Sequence, residues 1–278
     1  MAMRTSKVRE GVKHGLIWFV LFFAFFPLYL MVIISFKTNE QFKLNQFLPD
    51  APSQWHFENW TSGWNTVYLS IANSIVVSTF AVVFCLVTAV LASYVLARYK
   101  FPGKGIVYYG LIATMFLPGT PATLITLVKL LAHMSLFNSL WALILVGAAG
   151  GQVVCVFILR QFVEDIPKEL FEAAEMDGAG HLKQIWHVVL PMSGSVLTTL
   201  AIMQFIGNWN SLMLPLVIMR DQGSFTIPMA LMLVDGEYQK DWGALMAGYT
   251  IVSIPLVLMF LFTMKLFVKG LAAGAVKG

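Results

Sequence analysis

The sequence predicts an all-α integral membrane protein: six transmembrane helices, both termini inside, and one helix–turn–helix segment beneath the inner membrane surface. Three observations predict it. Of the 278 residues, 58% are hydrophobic and 12% are charged, about half the charged share of a soluble domain. Mean hydropathy is +0.77, and a soluble fold of this length has too little interior to hide so much apolar surface. Second, Asp, Glu, Lys and Arg are absent from six long stretches, each matching the roughly 20 residues that a helix needs to cross a bilayer. Third, Lys and Arg collect on alternate connections, the pattern that sets orientation in a membrane. An ordinary cytosolic enzyme, a disordered chain and a disulfide scaffold are thereby excluded.

The first predicted span is Leu16–Phe36, preceded by Arg4, Lys7, Arg9 and Lys13. Those cations resemble the start of a signal peptide. The apolar run is too long for one, however, and lacks a small-x-small cleavage site, so the helix is read as retained. The second span, Val67–Ala97, and the fifth, Met192–Met219, are long enough to tilt or to extend past the lipid. The third is Gly105–Val128, the fourth Leu136–Leu159 and the sixth Gly243–Met264. None has the short alternating pattern of a transmembrane β-strand. With the N-terminus inside, the inner segments hold thirteen of the 18 basic residues and the outer ones hold Lys37, Lys43, Lys129, Arg220 and Lys240. This organisation divides the chain into residues 1–66 (N-terminal segment, first helix and outer loop), 67–264 (transport core) and 265–278 (inner tail).

All 14 acidic residues lie outside the spans. Intramembrane carboxylates mark proton and ion relays, so their absence argues against a proton-driven carrier. The net charge of +4 reads as an orientation signal, with no nucleic-acid partner. Cys85 and Cys155 sit in apolar runs without CxxC spacing or neighbouring His, and read as small buried hydrophobes rather than metal ligands. The five histidines are scattered, and no metal site is expected. Walker A, HExxH and GxSxG patterns are absent, so no catalytic residue is assigned.

The segment Arg160–Pro191 breaks the pattern. Glu164, Asp165, Glu169, Glu172, Glu175 and Asp177 make it too polar for lipid, and an acid-rich helix is poorly suited to an anionic membrane surface. Asp165 is a candidate N-cap and Pro167 fits a first turn. Leu170, Ala173, Ala174 and Asp177 recur at helical spacing and share one face, where small alanines admit a partner closely. Gly178 and Gly180 are expected to break this helix with a turn that needs positive φ. A second helix from about Leu182 carries Ile185, Trp186 and Val189, and Pro191 is expected to stop it.

Glu172-Ala173-Ala174, then Gly178, then Val188-x-Leu190-Pro191 resembles the EAA signature of binding-protein-dependent ABC importer permeases, departing only in Val188 for Ile. Further pieces are similar to the carbohydrate branch, and in particular to the second permease of the maltose importer. They are Phe26–Tyr29, Ala97–Gly103, Met115–Pro118, Gly207–Asn210 with Leu214–Leu216, and the ending Lys269–Gly278. The resemblance implies a non-catalytic permease of the bacterial or archaeal cell membrane, in contact with lipid and importing sugar. Its implied partners are a cytoplasmic ATPase dimer, a sister permease in a heterodimer and an extracytoplasmic solute-binding protein. No cofactor is implied in this chain, since ATP binds the partner subunits.

The coupling residues implied are Glu172, Ala173, Ala174, Asp177, Gly178, Leu190 and Pro191. The tail from Lys269 is expected to reach the ATPases, and the outer loops Thr38–Thr66 and Arg220–Trp242, with Asp235, Glu237 and Asp241, to meet the solute-binding protein. Polar residues within spans are costly and often functional, so Gln152, Gln204, Asn208, Trp209 and Asn210 are the candidate substrate pathway, with Asn73 and Trp141 beside them. The alternative is that these side chains join helices to one another. Rival functions are import of a non-sugar solute (glycerol phosphate, an amino acid or an osmolyte) and an ion-coupled secondary transporter.

Overall fold

Long apolar runs free of charge build long helices, because only a helix satisfies its own backbone in an apolar medium. The computed structural model of the chain describes residues 7–117, 120–235 and 241–275, and among them it contains helices and no strand. The helices are α1 (Lys7–Ile34), α2 (Asn39–Leu44), α3 (Glu58–Arg98), α4 (Lys104–Thr114), α5 (Pro121–His133), α6 (Leu140–Gly150) and α7 (Gln152–Glu164). They continue as α8 (Lys168–Met176), α9 (His181–Gln184), α10 (Leu190–Met192), α11 (Gly194–Trp209), α12 (Met213–Ile218), α13 (Ile227–Asp235) and α14 (Trp242–Ala275). Arg4, Pro118, Glu237, Lys240 and Lys277, named above, lie outside the described residues.

Among the described residues, four segments are long and apolar enough to cross a membrane: Glu10–Ile34, Glu58–Arg98, Gly194–Ile218 and Trp242–Met264. The pair α6 and α7, bent by 43°, passes the same length and hydropathy criteria only when taken as one broken span. At 41 residues α3 rises about 60 Å, roughly twice the hydrocarbon thickness.

The third predicted span, Gly105–Val128, is not one helix. It is broken between the 11 residues of α4 and the 13 of α5. Pro121 occupies the first turn of α5, and a proline disfavours the helical conformation in the residue before it. Thr120 is accordingly extended (φ −102°, ψ 158°) and forms a capping box with Thr123, which starts a new helix instead of continuing the old one.

The chain divides into two compact units. One comprises the chain up to Tyr68 together with Leu231–Ile254, and the other Leu69–Ala230 together with the chain from Pro255. In the first unit the Lys37 ammonium is buried against the Asp50 carboxylate (2.7 Å) and the Asn45 carbonyl (3.0 Å). The Asn59 amide donates to the Ser35 and Lys37 carbonyls, and Phe36 stacks on Trp55. These contacts pin the loop after α1. In the second unit, small residues let three helices close: Cys85 and Ala89 of α3, Cys155 and Val156 of α7, and Val196 and Leu200 of α11 form one buried cluster. The Cys85 and Cys155 sulfurs are 3.7 Å apart and unbridged.

Candidate functional site

The acid-rich segment folds as an elbow in the second unit. Helix α8 starts after Pro167. Asp165 is not its N-cap: it closes α7, its N–H donating to the Gln161 and Val163 carbonyls. Pro167 makes the helical conformation unfavourable for Ile166, so the new helix begins at Lys168, two residues later than the Asp165 signal implied. Within α8 the one aromatic, Phe171, is completely buried, while Glu172, Ala173 and Asp177 are exposed and Ala174 half-buried. The expected face is therefore open, and Phe171 holds the other side down.

The anchor is the end of α3. The Arg98 guanidinium lies 3.9 Å from the centre of the Phe171 ring, a cation–π contact, and the Tyr94 ring is 6.4 Å from it. Tyr94 donates its hydroxyl to Gln184 Oε1 at 2.7 Å. Gln184, itself buried, donates to Glu175 Oε1 and to the Ala179 carbonyl, both at 3.3 Å. The Tyr99 hydroxyl lies 2.8 Å from His181 Nδ1. Arg98, Tyr94, Tyr99, Phe171, His181 and Gln184 thus form a clamp around the elbow that sequence reasoning missed. Its legible traces are a lone aromatic in a polar helix and an aromatic–cation pair at i, i+4 where α3 ends.

The turn follows from its glycine. Gly178 has φ +74°, its N–H donates to the Glu175 carbonyl, and the Ala179 N–H donates to the Ala174 carbonyl (both 2.9 Å). This is the Schellman pair of bonds, which takes a left-handed residue. Gly180, at φ −68°, is outside that region, so Gly178 alone supplies the turn. Pro191 does not stop the second helix. The helix loosens into a π turn over Ile185–Val189, where the Leu190 N–H reaches the Ile185 carbonyl, and α10 carries Leu190 and Pro191 on toward α11. The wider i→i+5 turn precedes a residue that has no N–H to give.

A cavity of about 270 Å³ opens among α3, α5, α6, α11 and α12 of the same unit. Its walls include Val77, Leu127 and Leu143, and its polar lining is Gln204, Asn208, Ser211 and Thr226. Gly147 and Gly151 admit the first two. A Cβ at 147 would stand 2.0 Å from Asn208 Oδ1, and one at 151 only 1.4 Å from Gln204 Nε2. A Gly-xxx-Gly edge therefore receives a Gln-xxx-Asn edge, the close approach that small residues allow between membrane helices.

The structure brings Gln204 and Asn208 together and separates the other pathway candidates from them. Trp209 is buried and stacks on Phe205. Asn210 donates to the Ile206 carbonyl of its own helix, and Gln152 pairs with the Thr88 hydroxyl at 2.9 Å. Asn73 ties α3 to the Gly223 and Phe225 carbonyls. Trp141 lies in α6 near Phe84, half-exposed. Among the described residues no cluster of His, Cys, Asp and Glu forms a metal site.

Several apolar spans, an amide-lined cavity among them and a rigidly clamped polar elbow define a helical membrane transport subunit. The family described as "Binding-protein-dependent transport system inner membrane component" matches residues 89–273, and the chain belongs to that family. It is 35% identical to the probable ABC transporter permease protein YurM of Bacillus subtilis, over 91% of this chain and 84% of that protein. It is 30% identical to the arabinooligosaccharides transport system permease protein AraQ of Halalkalibacterium halodurans, over the whole of both. A crystal structure of a bacterial ABC transporter involved in alginate import contains a chain of similar fold, with TM-score 0.83 and 18% identity, over 95% of this chain and 98% of that one. The protein is thus a multi-pass, non-catalytic permease subunit of the cell membrane.

Proposed function

We propose that this chain is one of two different membrane subunits of an ABC importer that takes up sugar delivered by an extracytoplasmic solute-binding protein. The observation that carries the reading is the elbow. Glu172, Ala173 and Asp177 stand exposed on α8, while Gly178 fixes its end and Phe171 clamps its back. A helix so held transmits a push as a rigid body. It docks into a cytoplasmic ATPase dimer, where Glu172 pairs with a basic residue and the alanines admit the cleft wall. ATP binds those partners, and this chain needs no cofactor of its own.

The chain crosses six times, N-in and C-in, with residues 67–264 as the core. Helices α4 and α5 are the halves of an interrupted third crossing, and the elbow lies on the inner side. The basic-residue asymmetry supports this orientation. Sugar as cargo is supported by relatives named for arabinooligosaccharide and diacetylchitobiose transport, and by amides in a mainly apolar cavity, a lining suited to hydroxylated ligands. Gln204 and Asn208 line the path; Gln152 joins α7 to Thr88 of α3 beside it, and Trp209 and Asn210 make their contacts within α11. Leu190 and Pro191 carry the motion of the elbow into α11.

The test is purification of the tagged chain from its host in mild detergent, followed by ATP-driven uptake in proteoliposomes. An ATPase and a second permease are expected to accompany it, and Gly178→Asp is expected to abolish uptake while leaving insertion intact. A chain that transports alone overturns the reading.

A further inference from the structure

The elbow is divided by charge. Its first arm exposes Glu169, Glu172, Glu175 and Asp177 against a single Lys168, and the chain then holds no acid until Asp221. The second arm exposes Leu182, Lys183 and Trp186 instead. An anionic membrane surface repels the first composition. Lysine beside leucine and tryptophan is the composition that rests at the headgroup level. The two arms therefore fit different partners, and the ATPase contact proposed above uses only the first.

Beside the second arm lies a groove of about 320 Å³, between α9 and the end of α3. Leu91, Val95, Leu182 and Ile185 supply aliphatic walls, and Tyr94 and Tyr99 supply rings. The two tyrosine hydroxyls are already engaged, by Gln184 and His181, so the groove presents mainly hydrocarbon. Leu91 and Val95 are exposed and belong to the apolar span Glu58–Arg98. At the rim, Lys100 directly follows Tyr99 and Lys183 directly follows Leu182. Both lysines are exposed, and among the described residues neither forms an ion pair.

We infer that this groove binds an anionic phospholipid, one acyl chain packing along Leu91, Val95 and Leu182 while the phosphate meets Lys100 and Lys183. The inference rests on the reading above for the elbow's place on the inner side, where the α3 span ends and headgroups begin. Basic pockets at that level select anionic headgroups, and lysine serves a phosphate as a point charge. Charge complementarity thus distinguishes this occupant from a zwitterionic lipid. Tyr94, Tyr99 and His181 line the groove and also clamp the elbow, so a bound chain packs against the part that holds α8 in place.

The experiment uses the complete importer in phosphatidylcholine nanodiscs containing phosphatidylglycerol with a photoreactive diazirine on its acyl tail. Irradiation is expected to label peptides covering residues 91–99 and 181–185. Excess phosphatidylglycerol is expected to remove the label, and phosphatidylcholine or free glycerol phosphate to leave it. The double change Lys100→Gln/Lys183→Gln is expected to weaken the lipid's apparent affinity roughly tenfold to thirtyfold. Val95→Trp, which fills the groove and keeps both lysines, is expected to abolish labelling. Absence of label from these peptides, equal competition by phosphatidylcholine, or indifference to both variants overturns the inference. So does label that appears only after the ATPase subunits are stripped away, since protein then covers the groove. Should a variant fail to assemble, the competition on the unaltered importer decides. ATP-driven uptake by the same preparation tests the importer reading separately: uptake without label leaves that reading standing, and a chain that transports without partner subunits overturns it.

Discussion

The Arg98 guanidinium covers the Phe171 ring at 3.9 Å, joining the end of α3 to the middle of α8. The contact explains how a short polar helix outside the apolar spans holds one orientation. Phe171→Ala removes a completely buried ring, and such truncations cost about 3–5 kcal/mol. It is expected to melt the elbow locally and to uncouple ATP hydrolysis from uptake. The ratio of ATP hydrolysed to solute imported is expected to rise, and an unchanged ratio would show that the clamp is dispensable.

Gly178 at φ +74° asks of any other residue a left-handed conformation that costs roughly 1–2 kcal/mol. A Cβ there meets nothing within 4 Å, so the penalty is backbone strain and not collision. Gly178→Asn is therefore expected to keep more uptake than Gly178→Ala, because asparagine tolerates that region. Uptake assays at matched expression check the order, and equal loss in both would point to steric crowding by a docked partner.

Gly151 faces the Gln204 amide so closely that a Cβ would lie 1.4 Å from Nε2. Gly151→Ala is expected to push Gln204 aside, cost about 1–3 kcal/mol by overpacking and reduce uptake. Combining it with Gln204→Ala is expected to recover stability, since contacting residues do not add independently. Thermal unfolding of the purified complex for both single variants and the pair measures this, and strict additivity would refute the contact.

In the first unit, Lys37 and Asp50 form an ion pair at 2.7 Å with the lysine side chain 2% exposed. Removing one partner of a buried pair leaves the other charge uncompensated and costs about 3–5 kcal/mol. Asp50→Ala is expected to destabilise the loop after α1 more than the double change Lys37→Met/Asp50→Ala. Limited proteolysis of that loop in membranes reads the order, and equal protection in all variants would count against it.

Much of this protein is legible from its residues taken in order. The first, second and sixth apolar stretches each lie largely within one long helix, while the fourth became the bent pair α6 and α7 and the fifth became α11 and α12; helix formation in an apolar run is a local property, but its limits and breaks are not. The third stretch broke because Pro121 and Thr120 start a helix within an otherwise continuous apolar run, and hydropathy does not register a cap. Pro191 misled in the opposite sense: the π turn before it carries a proline through a helix that pattern reading would end. In the site, the exposed α8 face and the glycine turn were readable from spacing, since both depend on neighbours within a few positions.

The sequence by itself determined a helical membrane chain, the elbow at Gly178 and the residues its open face presents, because lipid excludes charge and only glycine readily takes that turn. Only the tertiary structure decided what holds the elbow and what lines the cavity. Tyr94 reaches Gln184 across 90 positions, and the Gly147–Gly151 edge receives Asn208 and Gln204 from a distant helix. Those roles arise from close packing between segments remote in the chain, where a tenth of a nanometre separates contact from collision, and no local pattern of residues encodes that distance.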